Sequence, residues 1–229
     1  MAQSTFLEFL REQLPPAPAR VLEVGCGQGG LTTALAVEGY DVLGIDPLAP
    51  QGELFRRIRL EDLERSEGPF DAVVASHSLH HVRDLDQALD RIVSLLVPGG
   101  LLVLDEHGWD LADEATLDWL WNQRRALAAA GHGEPPASQE AFREGWQAEH
   151  LGLHGFETMR DETAKRFEER AFRRAPFLYR LLGGVATEVL EQALIDAGAI
   201  QALAFRYAGV ARPPAERGEA HPNRGWEMP

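Results

Sequence analysis

Cysteine is almost absent from this chain. Of 229 residues only Cys26 carries a thiol, so no disulfide can form within it. That points to a protein working in the cytoplasm. Lysine is as scarce: Lys165 stands alone, and Lys plus Arg total 22 against 36 Asp plus Glu. The formal net charge of −14 sets up a field that repels phosphate backbones and anionic membrane surfaces. Nucleic acid and membrane are therefore excluded as partners, and a neutral or cationic small molecule is the default. No stretch approaches the ~18 apolar residues of a membrane span. The N-terminal stretch interrupts its apolar residues with Glu8, Arg11 and Glu12, unlike a secretory signal. No Cys-x-x-Cys pair is available to a zinc ion, and no metal is expected. The sequence carries no mark of oligomeric state.

What is present is a compact alternation. Arg20–Val24 is an apolar run stopped by glycine, suited to a buried parallel strand. Gly30–Glu38 has helical apolar spacing, with Gly39 placed as a C-cap. Asp41–Ile45, Arg57–Leu60, Phe70–Ala75 and Leu101–Asp105 read as further strands. Leu85–Leu96 reads as an amphipathic helix ended by Val97-Pro98-Gly99-Gly100. Strands and helices alternating in this way predict an α/β sheet with right-handed crossovers. After Gly108 the texture becomes helical over 112–130 and 138–153. Arg166–Phe172 and Ile200–Val210 alternate like strands, and the arginines of 166–174 read as a solvated face.

The densest signal is Glu23-Val24-Gly25-Cys26-Gly27-Gln28-Gly29-Gly30. Glycines behind a strand let backbone approach a ligand and turn tightly into a helix. Gly25, Gly27 and Gly30 spell GxGxxG, which would also serve a nicotinamide-dependent oxidoreductase. Glu23, two residues ahead of the first glycine, suits a cationic group better than a pyrophosphate. Asp46 closes the second strand. A carboxylate there can accept both ribose hydroxyls of an adenosine, or can shape an Asp-Pro turn. Glu61, Asp62 and Leu63 fall where a third strand should end. They can meet an adenine amino group and ring, or form a solvated loop.

Ligands in open α/β sheets lie beyond the carboxyl ends of the strands. The residues beyond the fourth and fifth strands are Ser76-His77-Ser78-Leu79-His80-His81 and Glu106-His107-Gly108-Trp109. A histidine of this cluster can act as a general base, with His107 and His81 the leading candidates; packing or capping is the other reading. Trp109, Trp119, Trp121 and Trp146 follow and can wall an apolar cavity or fill a core.

In this order and spacing, the pieces resemble the class I S-adenosylmethionine-dependent methyltransferases of the small-molecule branch. The resemblance spans about residues 18–106. It rests on Glu23-x-Gly25-x-Gly27-x-Gly29, Asp46, Glu61-Asp62, Phe70–Val74, Leu79-His80-His81-Val82 and Leu96–Gly100. It implies a Rossmann-like, seven-stranded, mostly parallel sheet with helices on both faces. The last strand should be antiparallel, and a helical lid should follow strand 5. One domain is implied over 1–210. Within it, 18–106 holds the cofactor, 109–182 covers the substrate and adds the sixth strand, and 183–210 supplies the last helix and strand. Residues 211–229 read as a disordered tail. The implied cofactor is S-adenosylmethionine. Glu23, Gly25, Cys26, Gly27 and Gly29 would face its methionine and ribose parts, with Ser76 and His77 along the methionine side. Asp46 and Pro47 would meet the ribose, and Glu61, Asp62 and Leu63 the adenine. The implied activity is methyl transfer to an O, N or C nucleophile of a small molecule. A non-catalytic cofactor-binding or regulatory protein is the other reading.

Overall fold

The computed structural model describes residues 5–135 and 138–213. Seven strands form one sheet: β1 (Arg20–Val24), β2 (Asp41–Ile45), β3 (Phe55–Arg56), β4 (Phe70–Ser76), β5 (Leu96–His107), β6 (Phe167–Ala175) and β7 (Ala204–Ala211). Their order is β3-β2-β1-β4-β5-β7-β6. Strands β1 to β5 pair in parallel, and β7 runs antiparallel to both β5 and β6. The chain starts at β1, moves out to β3, then returns to the other side of β1 as β4. The order therefore reverses between β1 and β4, where a ligand crevice opens in such sheets.

Alternation along each strand assigns its two faces. On β5, Leu102 and Leu104 join Leu22, Val73 and the apolar stripe of α3 (Leu85–Leu95). Leu101 and Val103 face the other way, with Val21, Leu35 and α1 (Thr5–Gln13). Six residues of α3 are buried, and its N-cap Asp84 accepts from the Gln87 N–H, satisfying one of the end donors. A third cluster lies apart from these layers. It joins Leu117 and Leu120 of α4 (Glu114–Ala129), Trp146 of α5 (Gln139–Glu149), and Leu178 with Leu182 of α7 (Tyr179–Leu182). The helices named in sequence order are completed by α2 (Gly30–Val37), α6 (Phe156–Ala164) and α8 (Glu188–Asp196).

Several expectations shift. The third strand is Phe55–Arg56, not Arg57–Leu60, and Leu60–Asp62 forms a 3₁₀ turn. Only Gly44 and Ile45 offer it partners, so pairing stops after two residues. The Val97–Gly100 turn is absorbed into β5 as an irregularity, with Gly99 at φ 74. Helix α6 was not anticipated, because charged residues obscure the spacing of its buried Phe156, Met159 and Thr163. Arg166 is not solvated: it is buried against Asp86, Asp90 and Glu162. Ala211, assigned to the tail, belongs to β7, and the rest of the expected tail from 214 lies outside the described residues.

Candidate functional site

Glu23 is the acidic residue of β1, and its face of the strand looks toward α1 and α2. Its buried carboxylate accepts from the Thr32 hydroxyl, and burial pushes its pKa up. It lines a cavity of about 360 Å³ with Gly25, Cys26, Ser76, Asp105 and Arg180. Asp105 comes from the end of β5. Burial alone would raise its pKa, but the neighbouring His77 and the guanidinium groups of Arg206 and Arg180 outweigh burial and hold it below the usual carboxylate range. His77 Nε2 stands 3.5 Å away, Arg206 Nε 3.4 Å and Arg180 Nη2 3.8 Å.

The glycine loop is built around this cavity. Gly25, Gly27 and Gly29 all have positive φ, at 77°, 51° and 79°. A Cβ on Gly25 would strike Ser78, and one on Gly29 would strike Phe55. A Cβ on Gly27 would meet nothing within 4 Å. The side of Gly27 is therefore kept open, as a loop that cradles a ligand requires. Its N–H donates to Asp46 Oδ2 at 3.2 Å, while Asp46 Oδ1 accepts from the Leu48 N–H at 2.7 Å. Asp46 thus shapes its own turn and braces the loop with a half-buried carboxylate.

A second cavity, of about 550 Å³, opens under α4, α5 and the segment 177–182. His80, His81 and His107 line it, with Trp146, His150 and Phe177. Glu106 alternates with Asp105 on β5 and so points to the opposite face of the sheet. There Oε1 of its fully buried carboxylate accepts from the backbone N–H groups of Ser78 (3.1 Å) and Leu79 (2.7 Å). Oε2 lies 2.6 Å from Nδ1 of the buried His80. With the proton assigned to Nδ1, the Nε2 lone pair of His80 is left unclaimed by Glu106. His77 precedes this turn at φ 50, a sparsely populated conformation for a non-glycine residue.

His107 has a different character. Its ring stacks on Phe177 at 3.7 Å, and its Nε2 has no hydrogen-bond partner. Burial, reinforced by the four histidines 150, 80, 77 and 81, pushes its pKa down to about 2. A ring held neutral by burial is a weak base, which speaks against His107 as the leading one. It carries a stability consequence instead. The unfolded chain takes up a proton below about pH 6.5 while the folded ring refuses it, so stability falls as pH drops from there toward 2. At pH 5 the loss relative to pH 8 should be about 2 kcal/mol for this one group. Urea unfolding of wild type and His107→Phe at both pH values checks this. The variant should lose about that much less, and equal losses would remove His107 as the source.

The remaining expected residues fall into two groups. Gly25, Cys26 and Ser76 line the smaller cavity beside Glu23. Pro47, Glu61 and Asp62 are exposed beyond β2 and β3. Leu63 is buried in the core with Leu60, Leu79 and Leu85, so its side chain is not free to pack on an adenine ring. His81 stays at the exposed rim of the larger cavity, its pKa lowered by desolvation and then by His80. His80 and Glu106 belong to the expected cluster, but neither their pairing nor the entry of Arg180 into the smaller cavity is legible in the sequence. His77 and His81, like His150 and His154, stand four residues apart. Among the described residues no three His, Cys, Asp or Glu groups are gathered to hold a metal ion. No described helix is long and apolar enough to cross a membrane.

A glycine loop after β1 at the switch point, an acid ending β2 and an antiparallel β7 define a class, and comparison with known proteins agrees. Residues 2–153 match the family model described as a methyltransferase domain. The chain belongs to this family, as a class I S-adenosylmethionine-dependent member, and the nicotinamide reading falls. Over 123 residues it is 38% identical to a ubiquinone biosynthesis O-methyltransferase of Xylella fastidiosa, covering 46% of this chain and 49% of that protein. The chain thus spans about half the length of the curated relatives it matches. Among solved structures, an S-adenosylmethionine-dependent methyltransferase from Mesorhizobium loti superposes with TM-score 0.56 at 18% identity, covering 89% of this chain and 96% of that one. The plantazolicin methyltransferase BpumL, solved with S-adenosylhomocysteine, gives 0.51 at 12% identity over 91% of this chain and 82% of its own. At such identities these two structures speak for the fold.

Proposed function

We propose that this chain methylates the oxygen of a small hydroxylated aromatic molecule in the cytoplasm, with His80 as general base. The observation that carries this reading is the Glu106-held His80 lining an aromatic-walled cavity. A phenolic hydroxyl keeps its proton until about pH 10, so its oxygen needs a base to become a good nucleophile. A neutral amine would not. The names of the relatives, O-methyltransferases, support the same choice of atom. The stacked His107–Phe177 wall and Trp146 suit a flat ring.

S-adenosylmethionine, when bound, supplies a methyl group already activated on a sulfonium. The protein's own part is alignment and one proton. Glu106 accepts the Nδ1–H of His80 and steadies the imidazolium formed when Nε2 takes the hydroxyl proton. His81, with its ring 4.1 Å from that of His80 and exposed to solvent, offers the proton a way out. The open side of Gly27 and the carboxylates of Glu23 and Asp46 would hold the cofactor.

Methyl-labelled cofactor offered with a panel of phenols, aliphatic alcohols and amines tests the proposal. Label should appear in phenyl ethers. Label in amines alone would overturn the choice of oxygen. Tight S-adenosylhomocysteine binding with no labelled product would favour the non-catalytic reading. Asp46→Ala should raise the cofactor dissociation constant at least about tenfold, because charge-assisted hydrogen bonds contribute roughly 1.5–3 kcal/mol each. Calorimetry reads this directly, and an unchanged constant would exclude a ribose contact.

A further inference from the structure

The smaller cavity displays an unusual charge pattern. Two carboxylates, Glu23 and Asp105, line it together with a guanidinium, that of Arg180. A plain cation would need only the acids, and a plain anion would be repelled by them. A zwitterion carrying an ammonium and a carboxylate a few bonds apart answers both. Arg180 is held loosely, 3.8 Å from Asp105, with 41% of its side chain exposed, so a better acceptor can claim it. It arises from α7, outside the cofactor-binding half of the sequence.

We infer that Arg180 binds the α-carboxylate of the cofactor's methionine end, while Glu23 and Asp105 face its ammonium. This rests on the cofactor reading above and deepens it. The segment bearing Arg180 is fixed at its start. Fully buried Glu191 of α8 accepts from the backbone N–H groups of Phe177, Leu178 and Tyr179 at 2.7, 2.9 and 2.6 Å. The same segment turns Phe177 and Leu181 into the larger cavity. One short helix therefore touches both cavities. A carboxylate on Arg180 holds the wall against which the methyl acceptor rests, so the cofactor's amino-acid end completes the acceptor site.

Two probes separate the ends of the cofactor. S-adenosylhomocysteine carries the zwitterion; 5′-methylthioadenosine keeps the nucleoside and thioether but lacks it. In calorimetry, Arg180→Met should weaken S-adenosylhomocysteine about 10- to 100-fold, as expected for losing a charge-assisted pair. Methylthioadenosine should bind wild type and variant alike. Arg180→Lys should recover part of the loss, since it keeps the charge without the fork. Unchanged S-adenosylhomocysteine binding in Arg180→Met would overturn the assignment while leaving the cofactor reading intact. An equal loss of both probes would overturn it too, as general damage to the pocket. If wild type binds neither probe, the cofactor reading itself fails and this inference with it.

Discussion

Turnover of the His80→Ala protein should fall by about 10²–10⁴, the usual worth of a positioned general base. Cofactor affinity should stay at the wild-type value, because His80 lines the larger cavity and not the one beside Glu23. Glu106→Gln should approach the same loss by another route. Its side-chain oxygen can still accept from Ser78 and Leu79, but its amide nitrogen then faces Nδ1 of His80. An N–H aimed at Nδ1 pushes the ring proton to Nε2, the atom that must be free to receive one. Single-turnover rates against a labelled acceptor measure both variants. A His80→Ala rate within a few-fold of wild type would remove histidine base catalysis and leave alignment as the whole contribution.

Gly27→Val should abolish cofactor binding. Two costs combine. At φ 51 a β-branched residue is strained by about 1–3 kcal/mol. Its methyl groups also enter the space that Gly27 leaves open, which no protein atom fills within 4 Å. The position makes a cleaner probe than its neighbours. Substituting Gly25 or Gly29 drives a Cβ into Ser78 or Phe55, and disorder of the fold would then be mistaken for loss of binding. Calorimetry with S-adenosylhomocysteine, alongside thermal unfolding, separates the outcomes. A folded Gly27→Val protein with normal affinity would show that the loop cradles nothing.

Most of the sheet was readable because its signals are local. A short apolar run behind a Gly-Pro break reads as a buried strand or a short core segment, and Phe70–Ser76 is the former. The amphipathic stripe of α3 is nearly complete within eleven residues. The weak readings were β3 and α6, where two residues in one case and four charges in the other leave no period to detect. The glycine loop and Asp46 were legible as a constellation for the same local reason: each ends a strand. Leu63 could not be sorted from its neighbours by sequence, since a 3₁₀ turn decides which of Glu61, Asp62 and Leu63 faces inward.

The sequence by itself determined the class: the strand order's local units, the open loop, and a histidine-rich stretch beyond two strand ends. The different surroundings of these histidines are set only by the tertiary structure. His80, His81 and His107 are the same residue type within 28 positions. They differ in what packs on them from far along the chain. Glu106 reaches His80 across neighbouring strands, while Phe177, 70 residues beyond His107, covers that ring and strips it of water. Arg180 enters the smaller cavity by the same route, carried there by the fold of the helical segment and latched by Glu191. Proton affinity and ligand charge depend on desolvation and on partners within a few ångströms, and those distances are set by packing between distant segments.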